Sequence, residues 1–398
     1  MNKRYLTLLT SGHFTIDIFQ GALPAMLPFL IAERNLSYAS AAALVFAANI
    51  SSSIVQPLFG FYSDKLSMLW AMPVGLLFAS VGLALAGILP SYWMIMLSVA
   101  LSGIGIAAFH PEAARITNNI SGDKKGTGVS TFSAGGNMGF AVGPVITTAI
   151  VLAAGLKGTL FLLIPAAAMC YIFFTQQSAL GNYRQVSSAQ SVGQSVTVKD
   201  EWGSFLKLLG TISCRSIIFF GFNTFLPLYW INVFGKSKAA GSTALSILIV
   251  TGAVSTLIAG RLADRFGHRK IIALGFTALI PLLFIFVHIN NVTAATFMLI
   301  PIALALYAPF SPMVVYGQKY LPNHMGLASG VTLGLAVSVG GVFAPVLGWI
   351  SDNYSIHAAI SCLTVVPIIA AIIALFLPIP KIDLKDSGET EKLQEAAS

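Results

Sequence analysis

The segment Gly260–Lys270, which reads GRLADRFGHRK, decides the fold. It is a basic stretch with a single carboxylate, Asp264, and it joins two apolar runs that are each long enough to span a membrane. A shorter copy, GFYSDK at Gly60–Lys65, lies 200 residues earlier and keeps the Gly-x-x-x-Asp spacing. The copy indicates that the chain consists of two related halves.

Three further pairs of short motifs recur in the same order in the two halves. They are Leu23-Pro24 with Leu226-Pro227, the FHP of Phe109–Pro111 with the FSP of Phe310–Pro312, and Gly139, Gly143 and Pro144 with Gly340, Ala344 and Pro345. Four pairs in order are difficult to explain by chance. Such a repeat predicts a parallel internal duplication, with a ligand site between the halves near the membrane midplane.

The composition excludes an ordinary soluble protein. Apolar residues make up 56% of the 398 residues and charged residues 9%, whereas soluble domains are roughly a quarter charged. Mean hydropathy is +0.83. We therefore predict a protein that spans the membrane several times and is embedded in the lipid bilayer. The net charge of +8 follows from basic loops on one side of the membrane, so it predicts no nucleic-acid partner.

Apolar runs of spanning length predict an all-α membrane protein with twelve transmembrane helices. The runs are Tyr5–Ile31, Ser37–Ser63, Trp70–Leu89, Tyr92–Ile116, Gly126–Ala154, Gly158–Gln176, Ser204–Val233, Ala240–Leu262, Lys270–Ile289, Ala294–Gln318, Gly326–Ile350 and Ile356–Leu377. A polar, Ser- and Gln-rich connection separates two sets of six. The predicted parts are a six-helix bundle over 1–177, a cytoplasmic linker over 178–203, a second six-helix bundle over 204–378 and a cytoplasmic tail over 379–398.

Basic residues set the predicted orientation, because cytoplasmic loops carry an excess of Lys and Arg. With the N-terminus in the cytoplasm, most of the 22 Lys and Arg residues fall in cytoplasmic loops. The remaining ones are Arg34, Lys157, Lys236 and Lys238 outside and Arg215 within a helix. We therefore expect both termini in the cytoplasm.

These motifs resemble the major facilitator superfamily. Gly260–Lys270 is similar to its cytoplasmic-loop signature, Gly-x-x-x-Asp-Arg-x-Gly-Arg-Arg/Lys, with His268 as the one departure. Gly139–Pro144 resembles the fifth-helix motif of its antiporter groups. Val99 stands where the family's fourth-helix Arg would be expected, before Gly103-Ile104-Gly105. The resemblance implies two bundles, related by a pseudo-two-fold axis, that rock around a central cavity.

Shorter motifs resemble the fosmidomycin-resistance branch of that superfamily. They are FHPEAAR at Phe109–Arg115, HF-x-x-D at His13–Asp17 and YGQKYLPNHMGLASG at Tyr316–Gly330. The branch implies a proton-driven exporter of a drug or metabolite, with an anionic phosphonate as one candidate substrate.

The first helix carries a polar stripe. His13, Asp17 and Gln20 are spaced so that they share one helical face. A carboxylate near the bilayer centre costs several kcal/mol unless it is partnered. We therefore predict that Asp17 carries protons and that all three residues bind substrate, with capping of a neighbouring helix backbone as the structural alternative.

The end of the fourth segment, Ala108–Arg115, carries charge into an apolar helix. One hypothesis is that His110 and Glu112 face the cavity and relay protons, with His110 also in contact with substrate. The alternative is that Glu112 pairs with Arg115 at i, i+3 and joins Asp64 and Lys65 in a cytoplasmic latch.

Arg215 is the one basic residue that the pattern places deep in a helix. We predict that it pairs with Asp17 or binds an anionic group through its planar fork, with snorkelling to the cytoplasmic face as the alternative. Asn137 and Asn223 are further candidate substrate contacts in the predicted cavity helices.

The two Gly-x-x-x-Asp loops are interpreted as gates. The predicted cytoplasmic gate residues are Gly60, Asp64, Lys65, Arg115, Gly260, Asp264, Arg265 and Arg269. Their basic members also satisfy the orientation rule without any gating role. For Gly139, Gly143 and Pro144 the structural alternative is close helix packing and a bend.

The sequence as a whole predicts a monomeric, proton-coupled antiporter in a bacterial inner membrane that exports a drug or small, anionic metabolite. A proton-linked importer is the alternative within this class. A membrane enzyme or receptor is the alternative from another class, but the apolar segments carry no HExxH, CxxC or GxSxG motif. Cys170, Cys214 and Cys362 match no metal-site spacing. No cofactor and no metal are predicted.

Overall fold

The computed structural model describes residues 2–65, 68–121, 125–183, 199–324, 327–328, 331–332 and 336–380. Helices dominate these residues. They are α1 Lys3–Arg34, α2 Tyr38–Lys65, α3 Ala71–Ala86, α4 Tyr92–Ile120, α5 Lys125–Ala154, α6 Leu163–Gly181, α7 Trp202–Asn232, α8 Lys238–Phe266, α9 His268–Val287, α10 Val292–Tyr307, α11 Phe310–Tyr320, α12 Ala336–Asn353, α13 Ile356–Cys362 and α14 Val366–Leu375. A 3-10 helix, Leu156–Leu162, leads into α6.

Ten helical segments in the described part of the chain are long and apolar enough to cross a membrane. Three of them are composite, because the 3-10 helix with α6 forms Leu156–Gly181, α10 with α11 forms Val292–Tyr320 and α13 with α14 forms Ile356–Leu375. Helix α3 is apolar but only 16 residues long. The first part of the predicted eleventh run, Gly326–Ile350, lies partly outside the described residues. An all-helical, multi-span architecture is therefore observed, while the count of twelve stays a prediction.

Local signals explain where several helices begin and break. The side chains of Ser237, Asn291 and Ser355 accept hydrogen bonds from the first free backbone N–H groups of α8, α10 and α13, which is the usual role of an N-cap. Pro309 lies in the break between α10 and α11, since proline lacks the N–H that would continue the helix ladder.

Two hydrophobic cores divide the chain. One consists of buried residues between Leu6 and Leu180. The other consists of residues between Phe205 and Leu377, joined by Ala42 and Ala141. We refer to residues 2–183 as the N-half and to residues 199–380 as the C-half. The functional cavity described below lies where these two halves face each other.

The two halves bond to each other at one end of the helix assembly, near the α1–α2 and α7–α8 connections. The carboxylate of Asp352, in the last turn of α12, accepts hydrogen bonds from the backbone N–H groups of Tyr38 and Ala39, at 2.7 Å and 2.9 Å. Tyr38 also donates its hydroxyl to Asn232 at 3.2 Å, and the hydroxyls of Thr148 and Ser242 lie 2.5 Å apart. We call this region, residues 29–39, 148, 232–242 and 348–352, the contact end.

Asp352 is not among the functional residues predicted from the sequence. It supplies a carboxylate to the N-terminus of a helix that belongs to the other half. A negative charge is favourable there, because free N–H groups and the helix dipole both face it. Asp352 is therefore positioned to hold the contact end closed.

We expect Asp352→Ala to shift the protein towards conformations with an open contact end. Loss of a carboxylate cap costs about 0.5–2 kcal/mol, which is about a two- to thirtyfold change in the ratio of closed to open forms. Distances between spin labels at the exposed positions Glu33 and Tyr354 would measure the shift, in a background without native cysteines.

Asn353→Ala is the matched control, because the hydrogen bond described for the Asn353 amide lies within its own helix, to the carbonyl of Trp349. If both variants give the wild-type distance distribution, Asp352 does not hold this end closed.

Candidate functional site

A cavity of about 590 Å³ lies between the two halves. Its wall is mostly apolar and comes largely from α1, α2, α4 and α5, with Phe219, Phe220 and Asn223 contributed by α7. Its larger polar side chains are Gln20, Asn49, Gln56, His110 and Asn223. This is the composition of a small-molecule site, in which a few polar groups stand on an apolar wall.

Asp17 forms the centre of a buried polar cluster beside this cavity. Helix α1 places His13 one turn before Asp17, and α4 brings His110 to the other side of the carboxylate. The Nε2 atom of His13 lies 3.2 Å from Asp17 Oδ2, and the Nε2 atom of His110 lies 3.1 Å from Asp17 Oδ1. His13 and Asp17 are buried, and His110 reaches the cavity wall. The cluster of His13, Asp17 and His110 is called the triad below.

Backbone carbonyls fix both imidazole rings of the triad. The Nδ1 atom of His13 lies 2.8 Å from the carbonyl oxygen of Phe132 in α5, and that of His110 lies 2.8 Å from the carbonyl oxygen of Ile106. The His13 ring also stacks on the Phe132 ring, with centroids 4.0 Å apart. Three helices therefore determine the orientation of the triad.

Gly136 in α5 leaves the space that the triad occupies. A Cβ atom added at this position would overlap Nε2 of His13 and come within 2.5 Å of Asp17 Oδ2. Gly136 is not among the residues predicted from the sequence. The available signal was the run of small residues at Gly135, Gly136, Gly139 and Gly143, which lets α5 approach α1 closely.

For the transport activity that the sequence predicts, we expect Gly136→Ala to lower the rate about five- to 150-fold while the protein still inserts and folds. Overpacking costs about 1–3 kcal/mol, and here the atoms that must move are those of the triad. Transport in membrane vesicles at matched protein levels would measure the loss. Gly210→Ala is the control, because a Cβ there meets Ile373 at an ordinary 3.4 Å. Equal transport by the two variants would show that the space at Gly136 is not needed.

The predicted fifth-helix motif of Gly139, Gly143 and Pro144 lies on the same α1–α5 interface. A side chain at Gly139 would overlap the carbonyl oxygen of Phe14, and one at Gly143 would lie 2.5 Å from that of Ile18. Pro144 packs beside Gly21 of α1. The motif residues therefore occupy positions of close backbone contact.

Glu112 lies with Arg115 rather than with the triad. Its carboxylate is buried, and both of its oxygens accept from the Arg115 guanidinium, at 3.1 Å and 2.5 Å. This is the i, i+3 pair named as one alternative above. A role of Glu112 in a proton relay stays a prediction.

Arg215 is buried on α7 in the C-half. Its guanidinium carbon lies 4.7 Å from the ring centroid of Phe310 and 5.8 Å from that of Phe219. Among the described residues, its Nε atom has no hydrogen-bond partner, and the same holds for Tyr307 Oη and Asn223 Oδ1. In this conformation, the ion pairs described for Asp17 are those with His13 and His110. Arg215 is thus a buried cation with unused hydrogen-bonding capacity.

The remaining predicted residues are dispersed. Gln20 is exposed on the cavity wall, whereas Asn137 is exposed on α5 and is not among the cavity-lining residues.

The Asp264 side chain is 77% exposed and lies 3.7 Å from His268 Nε2. Arg269 donates to the carbonyl oxygen of Leu375, and Arg265 stands over the Phe266 ring. Gly260 lies half-buried in α8, and Gly60, Asp64 and Lys65 lie in α2 with side chains outside the described part of the structure.

The described residues contain one group of three potential metal-ligand side chains, and it is the triad. The hydrogen bonds within the triad account for the closeness of these groups. That no metal and no cofactor bind here stays a prediction from the sequence.

The sequence profile of the Major Facilitator Superfamily matches residues 9–345. The chain belongs to this superfamily. It is thus a multi-pass membrane transporter of small molecules and not an enzyme. The superfamily assignment agrees with the cavity between two helical halves.

Relatives of this transporter include named resistance proteins. It is 27% identical over 386 residues to the fosmidomycin resistance protein of Escherichia coli (strain K12), covering 94% of this chain and 92% of the relative. It is 30% identical over 379 residues to the "Uncharacterized MFS-type transporter YfnC" of Bacillus subtilis (strain 168), with the same coverage. Multidrug resistance protein 1 of that bacterium is 24% identical over 372 residues, covering 89% of this chain and 92% of the relative. The predicted resemblance to the fosmidomycin-resistance branch is confirmed.

Solved structures share the fold of this superfamily member. A bacterial homologue of the human lysosomal transporter Spinster, in an inward-facing and occupied conformation, superposes with a TM-score of 0.80 at 15% identity, covering 94% of this chain and 96% of the other. A point mutant of the nucleoside transporter NupG gives a TM-score of 0.70 at 17% identity, covering 94% and 97%.

Proposed function

We propose that this protein is a proton-coupled antiporter with twelve transmembrane helices that exports a small, anionic drug or metabolite from a bacterial cell. It works as a monomer in the inner membrane, with both termini in the cytoplasm. The observation that carries the proposal is the triad, a buried carboxylate held between two histidines at the wall of the cavity.

The triad suits proton coupling because an isolated carboxylate in a membrane interior is unfavourable. Desolvation favours its neutral form, whereas neighbouring cations favour its ionised form. His13 and His110 lie within 3.2 Å of its two oxygens, and an imidazole ring can donate or accept a proton. Since His110 lines the cavity, water in the cavity can exchange protons with Asp17 through its ring.

Arg215 and Asn223 support an anionic substrate. Arg215 is a buried cation whose Nε has no described hydrogen-bond partner, and Asn223 lines the cavity on the same helix. A guanidinium favours carboxylate and phosphate groups because it can donate two parallel hydrogen bonds. The relative named for fosmidomycin resistance supports export of a drug or a similar anion.

The contacts between the halves support transport by alternating access. The bonds of Asp352, Tyr38 and Thr148 across the halves lie at the contact end, and from the distribution of basic residues we infer that this end faces the outside of the cell. The cavity lining runs away from the contact end, along α2 from Val45 to Gln56 and along α4 from Val99 to Ala114. We interpret this conformation as inward-facing, and the similarity to a solved inward-facing transporter supports the interpretation.

Inside-out membrane vesicles with an imposed proton gradient test the proposal. A panel of anionic, neutral and cationic compounds, with fosmidomycin among the anions, would be offered outside the vesicles. We expect an acidic interior to drive uptake of anions, and a protonophore to abolish that uptake. Vesicles without the protein are the control. Uptake driven by an acidic exterior would instead identify an importer.

A further inference from the structure

The triad has the ligand set of a transition-metal site. His13 and His110 each present a ring nitrogen and Asp17 presents a carboxylate, and one such atom of each residue lies within 4.8 Å of the others. Imidazole with carboxylate is a typical ligand set for Zn²⁺ and similar ions, whereas Mg²⁺ and Ca²⁺ prefer oxygen ligands. From this geometry we propose that the triad binds one divalent transition-metal ion of the Zn²⁺ type.

The sequence carries no motif for this site because its ligands come from two helices. His13 and Asp17 lie on α1, and His110 follows on α4, 93 residues after Asp17. Only the crossing of α4 and α1 brings the third ligand to the other two. The prediction that no metal binds was made without this contact.

The backbone contacts of both imidazole rings leave Nε2 available for a metal ion. Carbonyl oxygens only accept hydrogen bonds, so the Nδ1 atoms of His13 and His110, each 2.8 Å from such an oxygen, carry the N–H groups. A neutral ring then has its lone pair on Nε2, the atom beside Asp17. A metal-binding histidine almost always donates its other N–H group to a carbonyl or carboxylate, which fixes the ring. Both rings of the triad already have this supporting bond.

The distances within the triad fit metal coordination. Nε2 of His13 lies 3.2 Å from Asp17 Oδ2, and Nε2 of His110 lies 3.1 Å from Asp17 Oδ1. An ion about 2.0–2.1 Å from two atoms with that separation has an angle of about 95–105° between them, close to the tetrahedral value. The ligand atoms therefore have nearly the separation that Zn²⁺ requires.

The surroundings of the triad provide a route for the ion and shield the bound ion from bulk water. His110 lies on the cavity wall, so an ion can enter from the cavity, and a cavity water can complete four-fold coordination. On the other sides, Phe132 stacks on the His13 ring and Phe109 lies against the His110 ring. With neutral rings and an ionised Asp17 the triad has a net charge of −1, which favours a dication in this apolar environment.

Hydrogen bonding explains why the three groups are close, but a single proton does not use all of them. A proton between His110 and Asp17 completes the hydrogen bond between these residues. A metal ion would contact Nε2 of both histidines and the carboxylate together. Because the ion and the proton need the same lone pairs, binding of the metal displaces the proton into the cavity water.

Titration of the purified protein in lipid nanodiscs with Co²⁺ tests the proposal. Co²⁺ takes the same ligands as Zn²⁺, and its visible absorption is much stronger in four-fold coordination than in water. We expect one Co²⁺ to bind per protein and to be displaced by Zn²⁺, but not by Mg²⁺ or Ca²⁺. Empty nanodiscs are the control for binding to lipid. Absence of this absorption from the wild type would overturn the proposal.

Single variants assign the binding to the triad. His13→Gln and His110→Gln should each weaken Co²⁺ binding at least about a hundredfold, because loss of a mere supporting partner already costs about 10–100-fold. His324→Gln is the matched control, since His324 also contacts a carboxylate, with Nδ1 2.7 Å from Oδ2 of Asp200, but its side chain is 53% exposed. It should bind Co²⁺ as the wild type does. Unchanged binding in the two triad variants would contradict the site.

His110→Cys separates the loss of a ligand from misfolding. A thiolate is itself a ligand for these ions, so this variant, in a background without Cys170, Cys214 and Cys362, should retain Co²⁺ binding. It should also gain a thiolate-to-cobalt absorption band in the near ultraviolet. Size-exclusion profiles and helical content would verify its folding. A folded variant that lacks this band would show that position 110 does not contact the metal.

The binding measurement needs neither a gradient nor a transported substrate. Metal binding by a protein that fails the vesicle test would contradict the proposed function and leave this inference intact. A working antiporter that binds no Co²⁺ would do the reverse. One consequence rests on the proposed function: Zn²⁺ in the cavity should inhibit gradient-driven export, because it occupies the groups that would carry the proton.

Discussion

Asp17→Asn is expected to abolish gradient-driven transport while leaving membrane insertion and helical content unchanged. The asparagine amide has nearly the shape of the carboxylate and can bond to both histidines, since it offers one acceptor and one donor group. It cannot ionise, so the triad loses the group that we propose as the proton carrier. The expected loss is complete for uptake driven by the proton gradient, measured in inside-out vesicles with the compound that the wild type transports best.

Asp200→Asn is the matched control for this substitution. Asp200 also bonds to a histidine, with Oδ2 2.7 Å from Nδ1 of His324, but it lies in the connection before α7. Partial burial raises the pKa of the Asp200 carboxyl, but hydrogen bonds from Asn323 and His324 lower it by more. The pKa of this carboxyl is therefore below its usual value. Transport by Asp200→Asn should keep the wild-type response to the gradient. Wild-type pH dependence in Asp17→Asn would exclude Asp17 as the proton carrier.

Arg215→Ala is expected to lose anionic substrates almost entirely. A charge-assisted hydrogen bond is worth about 1.5–3 kcal/mol, so removal of the guanidinium predicts about a ten- to 150-fold loss of affinity for each bond lost. Arg215→Lys should keep some transport with lower affinity, because an ammonium group cannot reproduce the planar fork. Competition by unlabelled anions in the vesicle assay would measure these affinities.

Two further variants separate the charge of Arg215 from its packing. Arg215→Met keeps much of the side-chain volume beside Phe310 and Phe219 and should lose anions as Arg215→Ala does. Lys207→Ala removes an exposed cation from the same helix and should transport normally. Unchanged affinity for an anion in the Ala and Met variants would contradict the anion site, as would a wild type that transports only cations.

The sequence predicted the helices well because spanning runs must satisfy their backbone hydrogen bonds internally. It also placed His13 and Asp17 on one helical face, since that needs only the period of a single helix. Their meeting with His110 depends on how α4 crosses α1, and no local pattern in the sequence encodes that crossing. The orientation of Arg215 was open for the same reason, because a helix position fixes depth but not the direction that a side chain faces.

Two residues that matter in the structure were not predicted from the sequence. Asp352 is an ordinary exposed acid until the fold brings it to the N-terminus of α2, 314 residues away from Tyr38. Gly136 stands among other small residues, and its importance appears only once the neighbouring atoms of His13 and Asp17 are in place. Both depend on contacts between distant segments, which the properties of each segment alone do not determine.

All parts of the triad lie in the same half of the protein, and this placement affects the transport cycle. His13, Asp17, His110 and the carbonyls of Phe132 and Ile106 all belong to the N-half. A rigid rotation of one half against the other would therefore leave every bond of the triad intact. Protons bound to the triad would move together with the N-half. Only the compartment whose water reaches His110 would alternate. Substitutions at the contact end should then change how fast the transporter cycles without changing the number of protons carried in each cycle.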